Sequence, residues 1–181
     1  MKRTELEHII RAAGDLLGER SVIIVGSQAI LATHSEIELP VQATRSLEAD
    51  VLPIDDPDGA KADQIDGALG EGSHFDQSFG IHADGVSVDT AVVPSGWRER
   101  LIPYANENTS GVTGLCLEPH DLCVSKLMAF REKDRDFVRA LLSAGLVDPD
   151  VIIARLNATA TEEVRLDQAR AFVQASRMPQ S

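Results

Sequence analysis

The stretch Val22-Ile23-Ile24-Val25-Gly26-Ser27-Gln28-Ala29-Ile30 constrains the fold more than any other. Four consecutive β-branched residues favour a buried strand, because branching at Cβ fits a pleated sheet better than a helix. Gly26 permits a close backbone approach, and Ser27 is a good cap for the helix-forming residues behind it. The stretch therefore predicts strand, tight turn and helix over 22–34. Two readings of the turn remain open. One is an ordinary connection between strand and helix. The other is a phosphate cradle, since amides at a helix start lack intrahelical partners and attract anions.

A second strand is expected in Leu47-Glu48-Ala49-Asp50-Val51-Leu52, where polar and apolar residues alternate. Side chains two apart in a strand share a face, so Glu48 and Asp50 point together while Leu47, Ala49 and Val51 face the core. Two carboxylates about 5 Å apart repel by roughly 3 kcal/mol at an effective dielectric near 20. Such a pair needs water or a cation, and Mg²⁺ prefers one or two carboxylates together with substrate phosphates. Asp89, within the apolar Gly85-Val86-Ser87-Val88-Asp89-Thr90-Ala91-Val92-Val93, is expected on a neighbouring strand as a third carboxylate. A strand on each side of Ala83-Asp84-Gly85, joined there as a hairpin, would carry it to that place.

Elsewhere the periodicity predicts a helix over 4–18, another over 58–69, a short strand at 112–119, and helices over 119–130, 132–144, 148–157 and 161–177. Residues 35–46 read as a polar loop or lid. The order gives an α/β (α+β) fold: a mixed sheet flanked by helices over 1–117, and an all-helical region over 118–181 packed on it.

Composition narrows the function. Seventeen basic against 29 acidic residues give a net charge of −12 and aromatics make up 4 %, which argues against a general nucleic-acid coat or rows of base-stacking rings. Cys116 and Cys123 stand in apolar surroundings without metal-ligand spacing, so both are expected as buried thiols in a cytoplasmic protein. The histidines lack such spacing too. No apolar run approaches the length of a membrane span.

Val25-Gly26-Ser27 followed by Glu48-Ala49-Asp50-Val51 resembles the nucleotidyltransferase superfamily, whose pattern is hG[GS] and then [DE]h[DE]h. Asp121-Leu122, Ser125-Lys126, Arg131 and Lys133-Asp134 resemble a later signature of uncharacterised bacterial nucleotidyltransferase-like proteins related to AbiEii/MenT-type toxins. The resemblance implies Mg²⁺ on Glu48, Asp50 and Asp89. It implies phosphate contacts from Gly26, Ser27 and Lys126, and a catalytic set of Glu48, Asp50, Asp89, Lys126 and Asp134, with Asp134 positioning the site. Arg45, just before the strand, is a further candidate for phosphate contact, and Lys133 is expected on the outer face of its helix.

The implied reaction moves a nucleoside monophosphate from a nucleoside triphosphate to an RNA (tRNA) or protein acceptor. The resemblance also raises the role of toxin in a toxin–antitoxin pair, with an antitoxin protein as partner. The other reading is a non-catalytic nucleotide- or partner-binding protein with a degenerate nucleotidyltransferase fold. Glutamate at position 48, where aspartate is commoner, and the long 35–46 segment keep it open.

Overall fold

A computed structural model describes residues 1–177; residues 178–181, the end of the expected helical region, lie outside the described residues. The chain runs α1 (Arg3–Leu17), β1 (Ser21–Ile24), a 3₁₀ turn (Ser27–Ala32), α2 (Val41–Thr44), β2 (Glu48–Leu52), α3 (Ala60–Leu69), α4 (His74–Phe79) and β3 (His82–Gly85). After two further 3₁₀ turns come β4 (Ile102–Tyr104), β5 (Thr113–Cys116), α5 (Pro119–Ala129), α6 (Glu132–Ser143), α7 (Pro149–Asn157) and α8 (Glu163–Ala175).

The strands form one mixed sheet in the order β3-β2-β1-β5-β4. β1 pairs antiparallel with β2 and parallel with β5, while β2 pairs parallel with β3. One sheet face carries Val22, Ile24, Ala49, Val51 and Ala83, all essentially inaccessible, in a core shared with α1, α3, α5 and α6. That core joins Ile24 and Ile30 to Leu122, Leu127, Val138 and Leu141, so the C-terminal helices bury their apolar faces on the sheet layer. Ile23, Val25, Leu52 and Val86 form a smaller cluster beside Trp97. Cys116 and Cys123 are both buried and free, as their apolar surroundings suggest. No helix among the described residues is long and apolar enough to cross a membrane.

Two expectations fail between β2 and β4. Residues 74–79 are not a strand. They form α4, whose start is capped by the Ser73 hydroxyl accepting from the Asp76 amide. The expected hairpin is also absent: Ala83, Asp84 and Gly85 lie within β3, which runs parallel to β2. The chain needs α3 and α4 to return to the same sheet end, as a parallel pair requires. Gly85 closes β3 because an added Cβ there would lie 2.0 Å from the Ala62 carbonyl oxygen, so only glycine lets the strand dock under α3.

Candidate active site

The acidic half of the site is built on the sheet. With Ala49 and Val51 turned into the core, Glu48 and Asp50 emerge on the opposite face. The register sets Asp50 directly beside Asp84 of β3. One carboxylate oxygen from each of Glu48, Asp50 and Asp84 lies within 4.8 Å of the others. That span and an all-oxygen donor set fit a hard divalent cation such as Mg²⁺.

The electrostatics agree with the geometry. Burial pushes the Asp50 carboxyl up to about 6, Glu48 and Asp84 push in the same direction, and Lys126 opposes them. Asp84 is also raised, first by burial and then by Glu48, with His82 opposing. Crowded acids of this kind favour protonation or a cation.

The Gly26-Ser27 turn is pressed against this cluster. The Val25 amide donates to the Asp50 carbonyl at 3.1 Å. A Cβ on Gly26 would stand 1.6 Å from Asp50 Oδ2. Glycine is thus required by contact with the carboxylate itself, since the Gly26 backbone is extended (φ −79°) and would accept any residue. The short helix expected after the turn is a 3₁₀ helix from Ser27 to Ala32, and its cap is Gly26, not the expected Ser27.

The basic half is built on α5 and α6. Lys126 Nζ lies 3.3 Å from Asp134 Oδ1, and Arg131 Nε donates to Asp134 Oδ2 at 2.6 Å. The Asp134 side chain is only 1 % exposed. Burial alone would raise its carboxyl, but the Arg131 hydrogen bond and the charges of Lys126 and Arg131 hold it below the usual carboxylate range. The Lys126 ammonium also sits 5.8 Å from the centre of the Phe137 ring.

Between the halves lies a cleft of about 820 Å³. Gly26, Ser27, Arg45, Glu48, Asp50, Lys126 and Asp134 all line it, so most sequence-predicted site residues converge. The 35–46 segment contributes Gln42 and Ala43 from α2 and Arg45 beyond it. Lys133 lines the same cleft and is not on an outer face.

Asp89 is the exception. It lies in an exposed 3₁₀ turn, Val88–Thr90, outside the carboxylate cluster. Its apolar neighbours do not continue as a strand because β3 has already ended at Gly85. Asp84 takes the expected third place. Its signal lay in the alternation of His82, Ala83 and Asp84, masked by the turn-like Asp-Gly pair.

A family model described as "Nucleotidyltransferase of unknown function (DUF6036)" matches residues 4–176. No curated protein and no solved structure matches the chain.

Proposed function

The chain belongs to the DUF6036 family of nucleotidyltransferases of unknown function, and from that premise we propose that it transfers a nucleoside monophosphate from a nucleoside triphosphate to an RNA or protein acceptor. The observation that best supports this reading is the cleft itself. Glu48, Asp50 and a glycine turn line one wall, with the Asp84 carboxylate grouped beside theirs, and Lys126 stands in the other.

Glu48, Asp50 and Asp84 would hold Mg²⁺, which when bound would offset their charge and that of the triphosphate. The Gly26-Ser27 turn and Lys126 would orient the phosphates, and Arg45 would approach them from the 35–46 segment. In the transfer, an acceptor hydroxyl oxygen bonds to the α-phosphorus while the bond from that phosphorus to the β-phosphate oxygen breaks. The hydroxyl proton passes to a carboxylate of the cluster, and pyrophosphate leaves. Asp134 acts through Lys126 and Arg131 as a positioning residue.

An RNA acceptor such as tRNA, a toxin role with an antitoxin partner, kinship with AbiEii/MenT-type toxins and a cytoplasmic setting complete the proposal. The first three rest on the Asp121-to-Asp134 signature, and the cytoplasmic setting on the buried free thiols of Cys116 and Cys123. The test is incubation with each labelled nucleoside triphosphate, Mg²⁺ and total RNA, comparing wild type with Asp50→Ala. Label transferred by wild type alone is the expected result. Nucleotide binding without transfer to RNA or protein would instead favour the non-catalytic binder, the reading that Glu48 in place of aspartate supports.

A further inference from the structure

The turn between α5 and α6 contains a conformation that side chains rarely adopt. Phe130 has φ +53°, in the left-handed region, and its amide donates to the Lys126 carbonyl at 2.9 Å. A bulky residue is disfavoured there unless its surroundings hold it. Here the Phe130 ring packs edge-on against Phe172, with centroids 6.0 Å apart, and lies 5.2 Å under the Arg135 guanidinium.

The turn has a consequence for the next residue. It makes Arg131 the cap of α6 and brings its guanidinium back onto Asp134, three residues on. Nε reaches Asp134 Oδ2 at 2.6 Å and Nη2 reaches Oδ1 at 3.3 Å. The same carboxylate holds Lys126 at 3.3 Å. Two cations thus share one anion, leaving a net charge of +1 on the trio. Arg131 is 59 % exposed, lines the cleft and faces the charges of Asp50 and Glu48. A guanidinium has five N–H donors, so three remain for a ligand.

We propose that Arg131 is a phosphate-binding residue, aimed into the cleft by its fork on Asp134 and by the left-handed turn at Phe130. The assignment rests on the nucleotidyltransferase reading and adds a second cation to Lys126. A guanidinium fixed in this way has already lost the side-chain freedom that an exposed arginine gives up on binding. Its free N–H groups suit the several oxygens of a polyphosphate more than the single phosphate of a nucleoside monophosphate.

The test is calorimetric titration with ATP, GTP, CTP, UTP and the matching monophosphates, each with Mg²⁺. Arg131→Gln should weaken triphosphate binding about tenfold or more. Monophosphate binding should change less than about threefold, because a single phosphate engages fewer of the free donors. The melting temperature should fall without loss of the fold, because the buried Asp134 loses its Arg131 fork but keeps Lys126, so the contrast between tri- and monophosphates carries the test. Arg131→Lys should restore little, since one ammonium cannot grip Asp134 and face the cleft together. Arg139→Gln, on α6 outside the cleft, should leave both affinities unchanged. Equal losses for tri- and monophosphates, no loss at all, or the same loss in Arg139→Gln would overturn the assignment while leaving the nucleotide reading intact. Failure of wild type to bind any of the four triphosphates would overturn both.

Discussion

Asp50 and Asp134 line the same cleft, and both are largely withdrawn from water, yet their neighbours set them in opposite states. Asp134 is held by Lys126 and Arg131, and its carboxyl lies below the usual range. Asp50 is crowded by Glu48 and Asp84, and its carboxyl is pushed up to about 6. A carboxylate clasped by cations stabilises the fold that places them. A carboxylate crowded by other carboxylates costs stability, and a ligand cation would relieve that cost. The contrast separates a residue that would position the site from one that would take part in its chemistry.

The largest effect should come from breaking the clasped acid. Asp134→Ala leaves Lys126, whose side chain is only 12 % exposed, without its partner. Removing one member of a buried ion pair typically costs about 3 kcal/mol or more. Urea denaturation without metal should show a loss of that size. A loss under about 1 kcal/mol would mean that the pair does not hold the α5–α6 corner.

The crowded acid should respond with the opposite sign. Asp50→Asn removes a like charge from the cluster and should raise metal-free stability by about 1–2 kcal/mol, a value reduced for partial solvation. The same denaturation experiment reads it.

The pH dependence sharpens the contrast. The folded-state value of Asp50, about 6, lies above its ordinary value of 3.8, so the folded protein holds that proton longer than the unfolded chain. The associated cost is absent at low pH and grows as pH rises from about 4 to about 6. The advantage of Asp50→Asn over wild type should therefore shrink as pH falls from about 7 to about 4. Asp134 runs the other way: its stabilisation is present above its ordinary value of 3.8 and is lost as pH falls below it. Stability measured from about pH 7 down to about pH 2 in both variants, Asp50→Asn and Asp134→Asn, would show the two opposite slopes, the first above about pH 4 and the second below it.

The smallest effect separates Asp84 from Asp89. Asp89→Ala, on an exposed turn, should change stability by less than about 0.5 kcal/mol and leave Mg²⁺-dependent nucleotide binding as in wild type. Asp84→Ala should abolish that binding. Titration of both variants checks it.

These outcomes also mark what was legible in the sequence. Glu48 and Asp50 could be read because a period of two is local and Ala49 and Val51 declare the buried face. Lys126 and Asp134 could be read only through the resemblance of the Asp121-to-Asp134 stretch to a known signature. Asp84 could not, because the parallel pairing of β2 with β3 depends on residues 53–81 folding between them. Local chemistry at Asp84-Gly85 favours a turn, and tertiary packing against Ala62 overrode it. The α4 helix was announced by Ser73 with Asp76 three residues on, a capping signal outweighed by the apparent alternation beyond it. The left-handed Phe130 had no local signal, since its conformation is sustained by Phe172, distant in sequence.

The central claim is that Glu48, Asp50 and Asp84 form a cation-dependent nucleotide site. It is tested most directly by thermal melts of wild type and Asp50→Asn, each alone and with Mg²⁺ and a nucleoside triphosphate. Wild type should gain about 2.7 kcal/mol with ligand at 100 times its dissociation constant. Asp50→Asn should start higher than wild type without ligand and gain little when ligand is added. An Asp50→Asn protein that starts lower than wild type, or gains as much with Mg²⁺ and nucleotide, would contradict the account.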